Sequence, residues 1–183
     1  MHGRFINLVL DDSASMGRLG VEAARQAAMQ LLQYVASRDH QAGETTPCNA
    51  WTFSDAPVVV GSMLPARELL QLPLLGHGAS MLGRALRTVA EVSEATIEAQ
   101  RLRSKTRRGS GGQACTILIG DLDASDDWLP AAERLAKLGR IGLILVDRSP
   151  PSTPPSRDSL LAFRVAVHAH HLGQQHMDAL VSP

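Results

Sequence analysis

The sequence predicts a doubly wound, Rossmann-like α/β fold: a mainly parallel six-stranded sheet with one antiparallel edge strand and helices on both faces. Short apolar runs, of the kind that form doubly covered parallel strands, alternate with longer segments that have helical spacing. Two of the strand-like runs, residues 48–53 and 57–61, are joined by only three residues. That connection is too short for a crossover helix, so this pair is expected to be antiparallel. The remaining crossovers should be right-handed, which places helices on both faces of the sheet.

The amino-terminal half begins with a continuous apolar run at residues 5–10 (FINLVL), which predicts a buried strand. Alanine and leucine then recur at helical spacing over residues 21–36. The predicted elements that follow are a loop at 39–47, the antiparallel strand pair, a short helix at 66–71 and a loop at 73–79.

The carboxyl-terminal half continues the alternation of helices and strands. Apolar residues at helical spacing predict a long helix from Ser80 to about Arg103, and four prolines exclude regular structure over residues 149–156. The other predicted elements are a glycine- and charge-rich loop at 105–113, a strand at 116–119, a helix at 128–138, a strand at 141–146, a strand at 161–167 and a helix at 171–181. We interpret residues 1–183 as a single domain with its core at 5–146, a proline-rich loop at 149–156 and a carboxyl-terminal strand and helix within 161–181.

Charge and cysteine content exclude several classes of protein. The 18 basic and 18 acidic side chains balance, whereas a dedicated nucleic-acid surface requires a basic excess. Cys48 and Cys115 are too few for a disulfide-built scaffold or a zinc site, and we expect both to be reduced and partly buried. Neither a signal-peptide pattern nor an apolar run of about 20 residues is visible, so the sequence predicts a cytoplasmic protein with no membrane contact.

Polar residues with oxygen side chains cluster where the predicted strands end. They are Asp11, Asp12, Ser13 and Ser15 after the first strand, Ser80 ahead of the long helix, and Asp121 and Asp123 after the fourth strand. In doubly wound sheets the ligand lies at the carboxyl ends of the strands, where the strand order reverses. Carboxylates and hydroxyls suit Mg²⁺, Mn²⁺ or Ca²⁺ rather than zinc, and a small number of carboxylates favours Mg²⁺ that keeps some of its water.

The order of these residues resembles the metal-ion-dependent adhesion site (MIDAS) of von Willebrand factor A domains. The matching residues are Asp11-x-Ser13-x-Ser15, then Ser80 ahead of Leu82-Gly83-x-Ala85-Leu86, and then Asp121 after an apolar strand. The resemblance covers most of residues 5–146. It implies that Ser13 and Ser15 bind the metal directly, that Asp11 and Asp121 act directly or through water, and that Ser80 replaces the family's threonine. It also implies an open coordination position, which a carboxylate of a partner protein fills.

Within that family the chain is most similar to the bacterial TerY-like proteins of tellurite-resistance clusters. They share an acidic pair and a tryptophan after the last metal loop, here Asp126-Asp127-Trp128. The resemblance implies a protein-binding module of a bacterial stress-resistance or phospho-signalling cluster, with a phosphatase or kinase of the same cluster as its partner. No nucleophile–base pair is visible in the sequence, so we do not predict an enzyme.

The sequence departs from the family around Asp121. Gly120 and Leu122 replace the usual threonine and glycine, and Asp123 offers an additional carboxylate, as Asp12 does after the first strand. Three further residues flank the predicted metal loops and are candidates for a partner-binding rim. They are His77, Met16 and Met81.

Three alternatives remain at this point. Residues 8–13 also resemble the acidic pair that opens a response-regulator receiver domain, with Asp55 as the phosphorylated residue, although the expected Lys-Pro is absent. Asp121-x-Asp123 resembles a haloacid-dehalogenase nucleophile motif, but too little chain follows for the rest of that fold. The chain could also be a von Willebrand factor A scaffold that binds its partner without metal.

Overall fold

The computed structural model describes residues 4–104, 112–146 and 163–181, whose strands form one six-stranded sheet. The strands are β1 (Arg4–Asp11), β2 (Pro47–Phe53), β3 (Pro57–Pro65), β4 (Gln113–Gly120), β5 (Gly139–Leu145) and β6 (Val165–His168). The helices are α1 (Gly17–Ala42), α2 (Leu82–Ser104), α3 (Leu129–Leu138) and α4 (Gln174–Val181). Short 3₁₀ turns occupy Ala14–Met16, Ala66–Leu69 and Ala169–His171.

The sheet has the strand order β3-β2-β1-β4-β5-β6. β2 and β3 pair antiparallel, and every other neighbouring pair is parallel. The predicted fold class, including its single antiparallel edge strand, is therefore confirmed. β1 and β4 lie at the centre and are buried on both faces, which explains why most of their residues are apolar.

Two layers of core cover the sheet. α1 and α4 pack on one face and α2 and α3 on the other, and successive residues of β1 face opposite layers because side chains alternate along a strand. Leu8 and Leu10 belong to the layer beneath α1, whereas Val9 lies between them and belongs to the layer beneath α2.

A buried polar ladder crosses the centre of the sheet at Asn7, which interrupts the first apolar run. Its Nδ2 donates to Ser93 Oγ at 2.8 Å and to Thr116 Oγ1 at 3.3 Å. Its Oδ1 accepts from Asn49 Nδ2 at 2.9 Å. A buried amide is stable only when such partners are present, so this ladder fixes α2 against β1, β2 and β4.

α1 is longer at both ends than the predicted helix at 21–36, and the loop predicted at 39–47 is wrong over residues 39–42. Residues 39–41 are polar and residue 42 is an exposed alanine, so no apolar spacing marks the last turn. The helix ends at Gly43, which has a φ of 64° and whose amide donates to the carbonyls of Asp39 and His40. The helix predicted at 66–71 is a single 3₁₀ turn. None of the helices within the described ranges is both long and apolar enough to cross a membrane.

The carboxyl-terminal elements are shorter than predicted. The strand predicted at 161–167 is β6, Val165–His168, and residues 161 and 162 lie outside the described part of the chain. The helix predicted from residue 171 begins only after Gly173, whose carbonyl accepts the first helical amides. The predicted loop at 149–156 lies wholly outside the described residues. Of the loop predicted at 105–113, only residues 112 and 113 are described, and Gln113 already belongs to β4.

Both cysteines are free and buried. Burial raises the pKa of the Cys48 thiol to about 12 and that of Cys115 to about 11, the latter opposed by the charges of Arg4, Arg140 and Arg38. At pH 8 only about one thiol in a thousand, or fewer, is then ionised. We expect neither cysteine of the native protein to react with Ellman's reagent within minutes, and both to react stoichiometrically in 6 M guanidinium chloride. Fast labelling of the native protein would contradict the burial of these thiols.

Candidate metal centre

The candidate site lies at the topological switch point of the sheet, between β1 and β4, where the strand order reverses. β1 is flanked by β2 on one side and β4 on the other, and the helices that follow β1 and β4 cover opposite faces. The chain segments that leave these strands diverge and open a crevice at their carboxyl ends. Three segments border it: the first loop (residues 12–16), the second loop (70–81) and the third loop (121–128).

A continuous chain of hydrogen bonds joins the five predicted metal ligands in this crevice. Ser80 Oγ donates to Asp11 Oδ2 at 3.2 Å, and the Ser13 amide donates to Asp11 Oδ1 at 2.9 Å. The hydroxyls of Ser13 and Ser15 lie 2.9 Å apart, and Ser15 Oγ donates to Asp121 Oδ2 at 3.2 Å. Residues from three loops, separated by up to 110 positions in sequence, thus meet in one cluster of oxygen atoms.

Asp11 is the most strongly perturbed carboxyl group of the site. It is 1% exposed, and burial raises its pKa to about 6. The hydrogen bonds from Ser13 and Ser80 oppose this rise, while the neighbouring charge of Asp121 adds to it. Among the described residues no basic side chain contributes to the pKa of Asp11, so its negative charge has no local counter-charge. A buried carboxylate in this situation favours a bound cation.

The donor chemistry of the cluster fits a hard divalent cation. It contains two carboxylates and three hydroxyls, and the hydrogen bonds that join these five side chains within the described residues involve no histidine or cysteine. Within the described ranges, no three His, Cys, Asp or Glu side chains come together as a metal-binding group. The site would therefore hold a cation mostly through serine hydroxyls and water, as Mg²⁺ accepts, rather than through a cage of charged ligands.

Asp12, predicted as an additional ligand or rim residue, instead holds the second loop. Its Oδ1 accepts from the amides of Leu75 at 2.5 Å and Gly76 at 2.6 Å. Its carbonyl accepts from the His77 amide at 2.8 Å, and its Oδ2 lies 3.7 Å from His77 Nδ1. Asp12 therefore orders the loop beside the site and takes no part in the hydrogen-bonded chain of candidate ligands.

Gly120 and Leu122, the two unusual residues on either side of Asp121, determine how β4 ends and how the third loop begins. A Cβ atom at Gly120 would lie 2.8 Å from Asp11 Cβ, so glycine is what lets β4 end so close to Asp11. Leu122 has a φ of 60°, in the left-handed region that favours glycine. The Asp123 amide donates to Asp121 Oδ1 at 2.9 Å, while the Asp123 side chain is exposed. Asp121 is thus held by a tight turn that includes one strained residue.

Asp126 caps the amino end of α2, a role that its sequence context does not indicate. Its Oδ1 and Oδ2 accept from the amides of Gly83 at 2.7 Å and Arg84 at 2.8 Å, in the first turn of α2. The Ser125 amide also donates to the Ser80 carbonyl at 2.7 Å. The third loop therefore caps α2 from outside that helix. No sequence spacing indicates such a cap, because it joins segments more than 40 residues apart.

The predicted rim residues differ in position. The prediction that Met16 lies at the rim is wrong. Its side chain is only 4% exposed, because the 3₁₀ turn at Ala14–Met16 directs it into the core beneath α1. His77 is exposed on the second loop. Met81 is partly buried, and its amide donates to the Ser54 carbonyl at 3.0 Å. His77 and Met81 therefore remain at the edge of the crevice, and Met16 does not.

The sheet topology argues against the receiver-domain alternative. Receiver domains have the flavodoxin-like strand order 2-1-3-4-5 in an all-parallel sheet, whereas here β3 is antiparallel and follows β2 through a tight turn. Asp55 lies in that turn, where its Oδ1 accepts from the Ala79 amide at 2.9 Å. Asp55 thus helps to hold the second loop.

Solved structures with a similar fold include a von Willebrand factor type A protein. A von Willebrand factor type A structure from Catenulispora acidiphila is 13% identical, with a TM-score of 0.64 over 98% of this chain and 42% of the other. Proximal thread matrix protein 1 from the mussel byssus, described with a zinc-occupied MIDAS motif, is also 13% identical, with a TM-score of 0.63 over 98% of this chain and 47% of that one. Conserved hypothetical protein BatB from Bacteroides thetaiotaomicron is 14% identical, with a TM-score of 0.61 over 97% and 95% of the two chains.

These likenesses show the fold of this chain. It spans about half the length of the mussel protein and nearly the whole of BatB. No protein-family model matches the sequence, and no curated protein matches it.

Proposed function

We propose that this chain is a metal-dependent protein-binding module in which Asp11, Ser13, Ser15, Ser80 and Asp121 hold a divalent cation. The observation that carries the proposal is the hydrogen-bonded chain that joins these five residues at the switch point of the sheet. Mg²⁺ is the proposed ion, with Mn²⁺ or Ca²⁺ as alternatives, because the donors are all hard oxygen atoms.

The residues of the site would have different roles in binding the cation and the partner. A bound cation would supply a positive charge and a coordination position for a carboxylate of the partner protein. Asp11, buried and without a counter-charge among the described residues, provides the fixed negative charge that favours the cation. Ser13 is held by its amide bond to Asp11. Ser15 and Asp121 are partly exposed and form the side of the site that a partner would approach.

Binding rather than catalysis is supported by the surroundings of the serines. In the described part of the chain, the hydrogen-bond partners of the Ser13, Ser15 and Ser80 hydroxyls are other serines and aspartates, not a histidine or lysine. A serine nucleophile needs an adjacent base to activate it. The zinc-occupied MIDAS motif of the mussel protein further supports a divalent metal here and makes Zn²⁺ a competitor to be tested.

We further propose a TerY-like role in a bacterial tellurite- or stress-resistance cluster, with a phosphatase or kinase of that cluster as the partner. This proposal is supported by the sequence resemblance at Asp126-Asp127-Trp128, of which Asp126 caps α2 beside the site. A cytoplasmic setting is supported by the two free, buried thiols, since oxidising compartments favour disulfides.

Metal binding is tested by isothermal titration of the purified protein with Mg²⁺, Mn²⁺, Ca²⁺ and Zn²⁺. We expect one site per chain, and we expect Ser13→Ala to weaken binding of the preferred ion by about tenfold or more, because it removes a donor oxygen. Ser37→Ala is the matched control, since Ser37 is exposed on α1 and outside the site. Unchanged affinity in Ser13→Ala, in a variant that remains folded by circular dichroism, would contradict the proposed ligand set.

Partner binding is tested by capturing proteins from lysate on the immobilised domain, with Mg²⁺ or with excess EDTA, and repeating the measurement with each purified candidate. We expect binding of the true partner to fall by about tenfold or more in EDTA and in Ser13→Ala. Equal binding with and without EDTA would instead identify a scaffold that works without metal.

A further inference from the structure

Two exposed leucines line one cavity beside the candidate metal centre. Leu19 in the first turn of α1 is 81% exposed and Leu75 in the second loop is 78% exposed, more than any other large apolar side chain in the described part of the chain. The cavity has a volume of about 810 Å³, and its buried wall includes Val21 and Leu74. Exposed apolar surface that lines a concave feature is typical of a binding site.

The cavity continues along α1 as a groove. A second cavity, of about 570 Å³, is lined by Met29 of α1 and Pro73 of the second loop. The two cavities share Glu22 and Arg25, and we call them together the α1 groove. Leu19 and Met29 lie ten positions apart on the helix, so the groove is about 15 Å long at 1.5 Å for each residue. That length fits about five residues of an extended peptide.

The second loop is fixed where it borders the α1 groove. The amides of Leu75 and Gly76 both donate to Asp12 Oδ1, and the Asp12 side chain is buried. Gly76 has a φ of 71°, and a Cβ atom there would lie 2.9 Å from the nearest side-chain atom of α1, so the loop passes directly over the helix. Arg25 Nη2 donates to the Leu74 carbonyl at 2.9 Å. Leu75 is therefore a preorganised apolar side chain, which lowers the entropy cost of binding a partner.

The charges around the α1 groove favour an acidic partner. Arg18 is exposed beside Leu19, and among the described residues it has neither an ion pair nor a hydrogen bond. Glu22 is the only acidic side chain that lines the groove within the described ranges, and its carboxylate is paired with Arg25. The groove thus has one unmatched positive charge, which attracts a carboxylate.

The α1 groove is also continuous with the candidate metal centre. Gly17 lines the groove and directly follows the first loop. Asp12, which holds the second loop, is the neighbour of the candidate ligand Asp11 in sequence. A partner segment with a carboxylate at the metal would therefore bring its neighbouring residues to the mouth of the groove.

We propose that the α1 groove binds an acidic, extended segment of the partner protein, with one large apolar side chain between Leu19 and Leu75 and a carboxylate beside Arg18. This inference rests on the proposed function, because it describes further contacts of the partner that the metal would anchor. The apolar side chain supplies affinity and the charges orient the segment. A second copy of this chain is a poorer occupant, since a two-fold contact would bring two copies of the unmatched Arg18 together.

The probe for the groove is a phage-displayed library of random peptides of about twelve residues, more than twice the length that the groove holds. Selection on the immobilised protein in Mg²⁺ should enrich peptides that combine an acidic residue with a large apolar residue. The affinity of an enriched peptide, synthesised with a fluorescein label, is then measured by fluorescence anisotropy. We expect Leu19→Gln/Leu75→Gln to weaken binding by about tenfold or more, and Arg18→Gln by about threefold.

The matched controls make the same changes outside the groove. Leu102→Gln/Leu129→Gln alters exposed leucines of α2 and α3, on the opposite face of the sheet, and Arg164→Gln removes an exposed charge ahead of β6. Each should keep the wild-type affinity within about twofold, because surface substitutions away from a site have small effects.

The stability of the leucine variant tests whether the groove is open. Leu19→Gln/Leu75→Gln should change Tm by no more than about 2 °C, since both side chains are exposed. A larger fall would show that another part of this chain covers the two leucines, and it would overturn the proposal.

The binding data separate this inference from the proposed function. Binding that depends on the two leucines but not on EDTA would support the groove and contradict the metal proposal. Binding that needs Mg²⁺ but not the leucines would overturn the groove alone. The groove proposal is also overturned if no peptide is enriched or if the enriched peptides lack acidic residues. Light scattering that shows a wild-type dimer, dissociated by Leu19→Gln/Leu75→Gln, would identify a second copy as the occupant and overturn it as well.

Discussion

Replacing Asp11 by asparagine is expected to remove most of the response of the protein to divalent metal while leaving the metal-free protein at least as stable as wild type. Asparagine has the same shape, and its side-chain oxygen can accept the Ser13 amide hydrogen bond that Asp11 accepts. Its amide group can donate to Ser80 Oγ, which lies 3.2 Å from Asp11 Oδ2. The substitution therefore removes the buried charge without emptying the site.

The stability of the metal-free protein follows from the pKa of Asp11. Its folded-state pKa is about 6 against an ordinary value of 3.8, so between about pH 4 and 6 the folded chain binds more protons than the unfolded chain. Ionisation of Asp11 therefore lowers the free energy of unfolding as the pH rises through that window. The total loss is about 3 kcal/mol, since each pKa unit corresponds to about 1.36 kcal/mol. In Asp11→Asn this loss is absent, so the metal-free variant should be more stable than wild type at pH 7.5.

Metal should largely cancel this difference in stability. A hundredfold excess of Mg²⁺ over its dissociation constant stabilises a protein by about 2.7 kcal/mol. If Asp11→Asn weakens binding about a hundredfold, the same concentration stabilises the variant by only about 0.4 kcal/mol. Urea unfolding with and without Mg²⁺, at pH 5 and pH 7.5, measures both effects.

The control for this prediction is Asp127→Asn, which removes one exposed negative charge from the third loop. It should keep the metal response of the wild-type protein. A merely structural role for Asp11 would make the metal-free asparagine variant less stable than wild type at pH 7.5, and that result would contradict the assignment of Asp11 as a metal ligand.

The convergence of the candidate ligands could be predicted because it depends on topology alone. Asp11 is the last residue of β1 and Asp121 directly follows the neighbouring parallel strand β4, so any fold with this strand order brings them to the same edge. Ser13 and Ser15 follow Asp11 within one turn. Ser80 reaches the site through a long loop, so its position depends on the path of that loop as well as on the strand order.

The contacts that support the site could not be predicted, because they depend on the paths of the loops. Asp12 binds the amides of residues 75 and 76, and Asp126 binds those of residues 83 and 84. Each of these carboxylates looks like an ordinary loop residue in the sequence. Met16 was predicted at the rim because it flanks the first metal loop, but the 3₁₀ turn at Ala14–Met16 buries its side chain.

Helix ends were predicted less well than helix centres for a related reason. The apolar spacing of α1 stops at Val35, the last buried residue of that helix, yet hydrogen bonding continues to Ala42. The helix ends at Gly43, whose backbone adopts the left-handed conformation, and no change in hydrophobicity marks this position. Local backbone geometry, more than burial, decides where such a helix stops.

Gly83→Ala is expected to cause the largest loss of stability among single substitutions near the site. A Cβ atom at this position would lie 2.3 Å from the Asp127 carbonyl oxygen and 2.8 Å from Asp126 Oδ2. The third loop would have to move, which breaks the cap that Asp126 forms on α2. Overpacking costs about 1–3 kcal/mol and loss of a cap about 1 kcal/mol, so we expect a total near 3 kcal/mol and a fall in Tm of about 6–12 °C.

The same substitution should also weaken metal binding, because the loop that moves carries Asp121. Gly20→Ala in α1 is the matched control: it makes the same change inside a helix, and its Cβ would meet only Met16 Cβ at 3.4 Å and two other side-chain atoms beyond 3.5 Å. Alanine favours a helix over glycine by about 0.5–1 kcal/mol, so Gly20→Ala should stabilise the protein slightly. Thermal unfolding of both variants, followed by Mg²⁺ titration, separates helix propensity from the clash. Equal changes in Tm for the two variants would show that the third loop does not pack against α2 as described.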